Sequence, residues 1–154
     1  MNTKNKKVKL FVLTLIILYL TLLVYWMFFG FGRITYSNHL YNLIPFKSII
    51  ASFEIYIYYV KNVPEIANNE FWHFAVNVFG NIGVFIPFGI LLTILFDSKF
   101  IKAFTVFEIG LLILEIMQFI KRRGVFDIDD IILNTLGFLL GYIVIKIANK
   151  LIKR

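Results

Sequence analysis

Apolar residues run almost unbroken through positions 10–29, 71–96, 101–120 and 129–148. Each run approaches or exceeds the roughly 20 residues that a helix needs to cross a bilayer. The first contains no charge and follows Lys4, Lys6, Lys7 and Lys9. It is longer than the roughly 7–15 apolar residues of a signal peptide, and no small-x-small cleavage site follows, so it reads as an uncleaved anchor. The other three carry polar residues: His73, Asn77 and Asn81 in the second, Glu108, Glu115 and Gln118 in the third, Asp130 and Asn134 in the fourth. In lipid such groups must be satisfied by one another or by a wet cavity. The pattern predicts an all-α polytopic membrane protein, with four transmembrane helices in a single domain over residues 1–154.

The connection at residues 30–70 is too long for a turn and too apolar for a solvated loop. Phe46, Ile49, Ile50, Phe53, Ile57 and Val60 recur at helical spacing, with Lys47, Ser48, Ser52 and Glu54 on the other side. This predicts an amphipathic helix lying in the membrane interface, with Tyr56, Tyr58 and Tyr59 at headgroup level. Pro45 is placed to begin it at the first turn. Residues 53–58 also alternate, but a lone strand would leave its backbone groups bare. Pro87 removes an amide from the second span and predicts a kink there, with a freed carbonyl to be paired internally.

Composition agrees with the pattern: 60% of residues are hydrophobic and the mean hydropathy is +0.82, against roughly 45–50% apolar usage in soluble domains. The absence of cysteine excludes disulfides, iron–sulfur clusters, thiolate metal sites and a cysteine nucleophile. No HExxH, phosphate loop or Ser-His elbow occurs, so no metal or cofactor is expected, and His73 reads as a hydrogen-bonded or interfacial histidine.

The net charge of +7 reflects topology rather than nucleic-acid binding, because the basic residues flank apolar spans. Lys4, Lys6, Lys7, Lys9, Lys99, Lys102, Lys146, Lys150, Lys153 and Arg154 fall on one side; Arg33, Lys47, Lys61, Lys121, Arg122 and Arg123 fall on the other. Ten against six puts both termini in the cytoplasm. The Lys121–Arg123 triplet then lies outside, against the usual bias. It is balanced either by Asp127, Asp129 and Asp130 or by an anionic ligand from the outer leaflet.

Helical spacing brings the polar groups toward one place. His73, Asn77 and Asn81 recur every four residues; Glu108, Glu115, Gln118 and Arg122 share a face; Asp127, Asp130 and Asn134 occupy the start of the fourth span. These stripes can meet in one outer pocket. The plainer readings are that Asp127 caps the fourth helix by accepting the amide of Asp130, and that Gly137 and Gly141 only let another helix approach.

Four motifs occur in order: Asn42-Leu43-Ile44-Pro45-Phe46-Lys47; Asn77-x-x-Gly80-Asn81-x-x-x-Phe85-x-Pro87-Phe88-Gly89; Glu115-x-x-Gln118; and a last stretch, residues 123–142. That stretch reads Arg123-Gly124-Val125-Phe126-Asp127-Ile128-Asp129-Asp130-x-x-x-Asn134-x-x-Gly137-x-x-x-Gly141-Tyr142. Together they resemble the VanZ-like family of small bacterial membrane proteins, over residues 42–142. The family's arginine falls on Arg122 or Arg123. The resemblance implies a multi-pass protein of the bacterial cytoplasmic membrane with a role in the cell envelope. The family is named for an accessory protein of glycopeptide-resistance clusters that raises resistance to teicoplanin. Teicoplanin carries an acyl chain and vancomycin does not, which suits a site at the lipid boundary.

The leading expectation is a pocket for a lipid or lipid-like amphiphile. Arg122 or Arg123 would hold its anionic group, and Asn77, Asn81, Glu115, Gln118, Asp127, Asp130 and Asn134 would orient it. Its partners would be membrane lipids, a lipoglycopeptide or a lipid-linked cell-wall precursor, with no nucleic acid. The rival is an intramembrane enzyme in which Glu115 and Asp130 act as general acid and base. A third reading is a structural subunit whose polar groups only lock the helices together.

Overall fold

The computed structural model describes residues 6–30 and 34–152; Lys4, Arg33, Lys153 and Arg154, used in the charge count, lie outside the described residues. Among the described residues, four helical stretches are long and apolar enough to cross a membrane. They are α1 (Lys6–Phe29), a continuous stretch over Pro64–Leu95, α5 (Phe100–Lys121) and α6 (Ile128–Ile152). The all-α polytopic architecture expected from the sequence is therefore the architecture found.

The second stretch is not one regular helix. It consists of α3 (Pro64–Ala75), a π-helical turn over Val76–Gly80 and α4 (Asn81–Leu95). At 1.5 Å per residue its 32 residues exceed the roughly 30 Å of a hydrocarbon core, so α3 reaches beyond the span. There it packs on α2 (Lys47–Asn62) through Phe53 against Phe74, with ring centroids 5.5 Å apart, and Tyr56 against Phe71 at 5.6 Å. No side chain of α2 is fully buried, and Ile50, Phe53, Ile55, Tyr58 and Val60 stay exposed. Such an apolar surface suits the boundary between lipid and water.

The helical stretch that holds the second span begins at Pro64, which occupies the first helical turn where its missing amide costs nothing. Pro45 does not play that part for α2, which starts at Lys47 behind a left-handed Phe46 with φ of 66°. The helix α4 continues through Pro87. Next to the Gly83 carbonyl that Pro87 leaves without an amide, Tyr19 of α1 donates its hydroxyl to Val84 O at 2.9 Å.

Two short strands were not foreseen from sequence. Leu40–Asn42 (β1) and Val125–Asp127 (β2) pair in parallel, with Tyr41 opposite Phe126 and Asn42 opposite Asp127. They cover the strand end of the bundle, where α1 and α5 finish and α6 begins.

The core lies between α4, α5 and α6, where Phe107 stacks on Phe138 at 4.5 Å and meets Phe85 at 5.7 Å, and α1 adds Leu23, Met27 and Phe28. The tightest crossing is α4 on α6. A Cβ added to Gly141 would sit 2.2 Å from Ile86 O, one on Gly137 2.2 Å from Ile82 O, and one on Gly89 2.1 Å from Phe138 O. The two backbones touch, so glycine at these positions is a steric requirement. In lipid, where apolar burial does not drive helices together, close backbone approach supplies the van der Waals contact that does.

Gly141→Ala and Gly137→Ala are expected to destabilise the protein by at least the roughly 1–3 kcal/mol of an overpacked core. Gly83→Ala serves as the reference, because nothing lies within 4 Å of a Cβ there. Thermal melts in detergent should rank both variants well below the reference. Equal melting would contradict the crossing described.

Candidate functional site

A cavity of about 110 Å³ lies beneath the strand end. Its polar lining comes from three helices: Asn81 at the start of α4, Glu115 and Gln118 in the last turns of α5, and Asp130 and Asn134 in the first turns of α6. Trp26 and Met27 of α1 and Gly124 and Val125 of the α5–α6 connection complete the wall. The glycine crossing makes this possible, because α4 and α6 lie close enough for Asn81 Nδ2 to donate to Asp130 Oδ1 at 2.6 Å.

The π turn explains which asparagine reaches the cavity. Regular α geometry would stack Asn77 and Asn81 on one face, but a turn with i→i+5 bonding takes more residues per turn and rotates less per residue, which changes the angle between them. Asn81 lines the cavity; Asn77 is half-buried outside its lining and His73 is exposed. The four-residue stripe expected along the second span is thus broken at Val76–Gly80.

Glu115 and Asn134 are each 2% exposed, and Glu115 Oε2 and Asn134 Oδ1 have no hydrogen-bond partner among the described residues. An unsatisfied buried polar atom costs about 1–3 kcal/mol. Both residues line the same small cavity, which makes it a place for a hydrogen-bonding ligand. Among the described residues, no lysine or arginine lines it.

The remaining acids of the cluster do other work. Asp129, 1% exposed, accepts the amides of Phe46, of Ser48 at 2.8 Å and of Ile49 at 3.2 Å, and so closes the N-terminus of α2. Converging amides of this kind form a ready seat for a carboxylate, which is favoured at the positive end of the helix. Asp127 Oδ1 accepts from Asp129 N at 2.9 Å and from Asn42 Nδ2 at 3.0 Å, while Oδ2 accepts from Ser48 Oγ. It caps α6 through the amide of Asp129, not that of Asp130. Asp127, expected among the ligand-binding residues, therefore lies outside the cavity, its two oxygens already engaged.

The arginines are also elsewhere. Arg122 ends α5 in a left-handed conformation with φ of 53°, donates from Nη1 to Ser37 O at 3.0 Å, and accepts Tyr36 N at its carbonyl. Arg123 is half-buried, outside the cavity lining, and its amide donates to Gln118 O at 3.0 Å. Glu108 lies two turns before Glu115 in α5, where Thr135 donates to it at 2.9 Å. Of the nine binding residues expected from sequence, Asn81, Glu115, Gln118, Asp130 and Asn134 are brought together in the cavity lining.

From sequence, Asn42 and Ser48 carry no site role, and Asp129 serves only as one of three acids balancing Lys121–Arg123. Asn42 and Asp129 stand in the first and last motifs and Ser48 on the polar side of α2, but no local periodicity links residues some 80 positions apart.

A sequence-family model described as VanZ/LLP1 matches residues 12–149, most of the chain. No curated protein and no solved structure matches.

Asp129→Ala is expected to release α2 while the four spans hold. Loss of a charged acceptor costs about 1.5–3 kcal/mol per bond, which corresponds to hydrogen exchange at the start of α2 faster by about tenfold or more. Asp130→Asn should leave those amides protected. Unchanged exchange in Asp129→Ala would contradict the capping role.

Proposed function

The chain belongs to the VanZ/LLP1 family, and we propose that it is a cell-envelope protein of a bacterial cytoplasmic membrane whose polar cavity binds the head of a lipid-like amphiphile. The termini face the cytoplasm in this reading, as the excess of basic residues on that side favours, and the strand end faces outward. The carrying observation is the pair of unpartnered acceptors, Glu115 Oε2 and Asn134 Oδ1, in a cavity lined also by Asp130 and, among the described residues, by no basic side chain. Acceptors and carboxylates favour a head rich in donors, such as hydroxyls or an ammonium group, over a phosphate. An anion held by Arg122 fits the geometry poorly, since that guanidinium is bonded to Ser37 O. A lipoglycopeptide of the teicoplanin type, which combines sugar hydroxyls with an acyl chain, is a ligand of the right chemistry.

A second reading rests on Glu115 and Asp130 lining the same cavity, where two carboxylates can serve as acid and base on a lipid-linked substrate. The two readings differ in what the cell accumulates. An enzyme leaves unprocessed precursor in a deletion strain; a binder leaves none.

Native mass spectrometry of protein taken from its own membranes tests the binding reading. Leaving a buried polar group unpaired weakens affinity by about tenfold to a hundredfold, so Glu115→Gln and Asn134→Ala should lose copurified amphiphile. Arg122→Ala should keep it. Identical lipid in the wild type and in both cavity variants, at unchanged melting temperature, would overturn the proposal.

A further inference from the structure

A second hollow, of about 320 Å³, lies on the flank of the bundle between α1, α4 and α5. Its walls are apolar: Ile16, Leu20 and Val24 from α1, Phe88 from α4, and Leu111 and Leu114 from α5 are among them. Its volume is about twice that of the roughly 150 Å³ apolar cavities that hold a benzene ring. Along α1 it extends from Ile16 to Val24, about 12 Å at 1.5 Å per residue.

This groove adjoins the polar cavity. Phe85 belongs to the walls of both. On α1 the lining passes from Val24 in the groove to Leu23 and Met27 in the cavity; on α5 it passes from Leu114 to Glu115. The two hollows are thus neighbours along α1 and α5, with Phe85 as their shared wall. The groove also has a natural gauge. Gly110 lines it, and nothing lies within 4 Å of a Cβ built there.

We propose that the groove between α1, α4 and α5 is the acyl-chain site of the same ligand whose head occupies the polar cavity, so that one single-chain amphiphile spans both across Phe85. The inference rests on the head-group reading and adds the chain, its path and its direction of arrival. The ligand enters sideways from the leaflet, between α1 and α5, with its chain in the groove and its donors turned to Glu115 and Asn134. Burial along the groove supplies affinity at about 0.8 kcal/mol per methylene. The buried acceptors select the head, because a molecule without donors leaves them unpaired.

The test uses a 1-monoacylglycerol with a photoactivatable diazirine in its chain, a probe with two free hydroxyls, and the full chain in phosphatidylcholine nanodiscs. Labelling is expected on α1 and α5 around Ile16, Leu20 and Gly110. Gly110→Leu fills the groove and should cut that labelling about tenfold or more, the penalty of a misfit in an apolar pocket. Gly83→Leu, at a glycine equally free of neighbours and outside both linings, should not. Asn134→Ala should also reduce labelling in the groove, because head and chain belong to one molecule. Labelling that responds to Gly110→Leu but not to Asn134→Ala or Glu115→Gln would mean surrounding lipid only and would overturn the inference. So would labelling spread evenly over all spans. If the cavity variants still lose their copurified amphiphile in those cases, the head-group reading stands without the chain site; if they keep it, both fall.

Discussion

The contact between the backbones of α4 and α6 is the constraint on which the rest depends. Gly89, Gly137 and Gly141 leave no room for a methyl group, and that absence brings two spans to a separation that side chains would prevent. Within lipid, apolar side chains gain little by leaving one hydrocarbon surface for another, so a bundle of this kind is held by close packing and internal hydrogen bonds. The crossing supplies both. It sets Asn81 against Asp130, and it turns Asn134 toward the end of α5, where Glu115 and Gln118 close the remaining side. A looser crossing would separate these groups and expose each to hydrocarbon.

The acids gathered near the strand end divide into two sets with different work. Asp127 and Asp129 fasten the segment from Asn42 to Ile49 across the mouth of the bundle, by capping α2 and α6 and tying β1 to β2. Asp130 and Glu115 face inward. The alternation follows from the helix start: successive residues of the first turn point in different directions, so three acids in four positions serve three neighbours. The fastening also explains the left-handed Phe46, whose amide Asp129 accepts. A conformation that costs on the order of 1–3 kcal/mol persists when its surroundings fix it.

Most of the fold was legible because apolar runs of spanning length are a strong signal, and the helical periodicity of residues 46–60 gave α2. The three-residue strands were not, since an alternation of period two needs more positions than Leu40–Asn42 or Val125–Asp127 provide, and their pairing joins segments far apart in sequence. The π turn was equally silent: nothing in Val76–Gly80 announces it, yet it decides that Asn81 and not Asn77 reaches the cavity. For Asp127 the spacing supported both a cap and a ligand, and the cap is what is found. Glu115, Gln118 and Asn134 could be read as inward-facing because ionisable and amide groups in a span have nowhere else to go.

Which way the strand end faces decides which leaflet can supply the cavity with a ligand. The chain has no cysteine, so single substitutions report cleanly. Asn38→Cys, exposed beside β1, and Lys99→Cys, exposed at the opposite end of the bundle, can be treated in intact cells with a membrane-impermeant maleimide. An outward-facing cavity predicts labelling of Asn38→Cys from outside, and of Lys99→Cys only after the membrane is permeabilised. The reverse pattern would put the cavity at the inner leaflet and contradict the account.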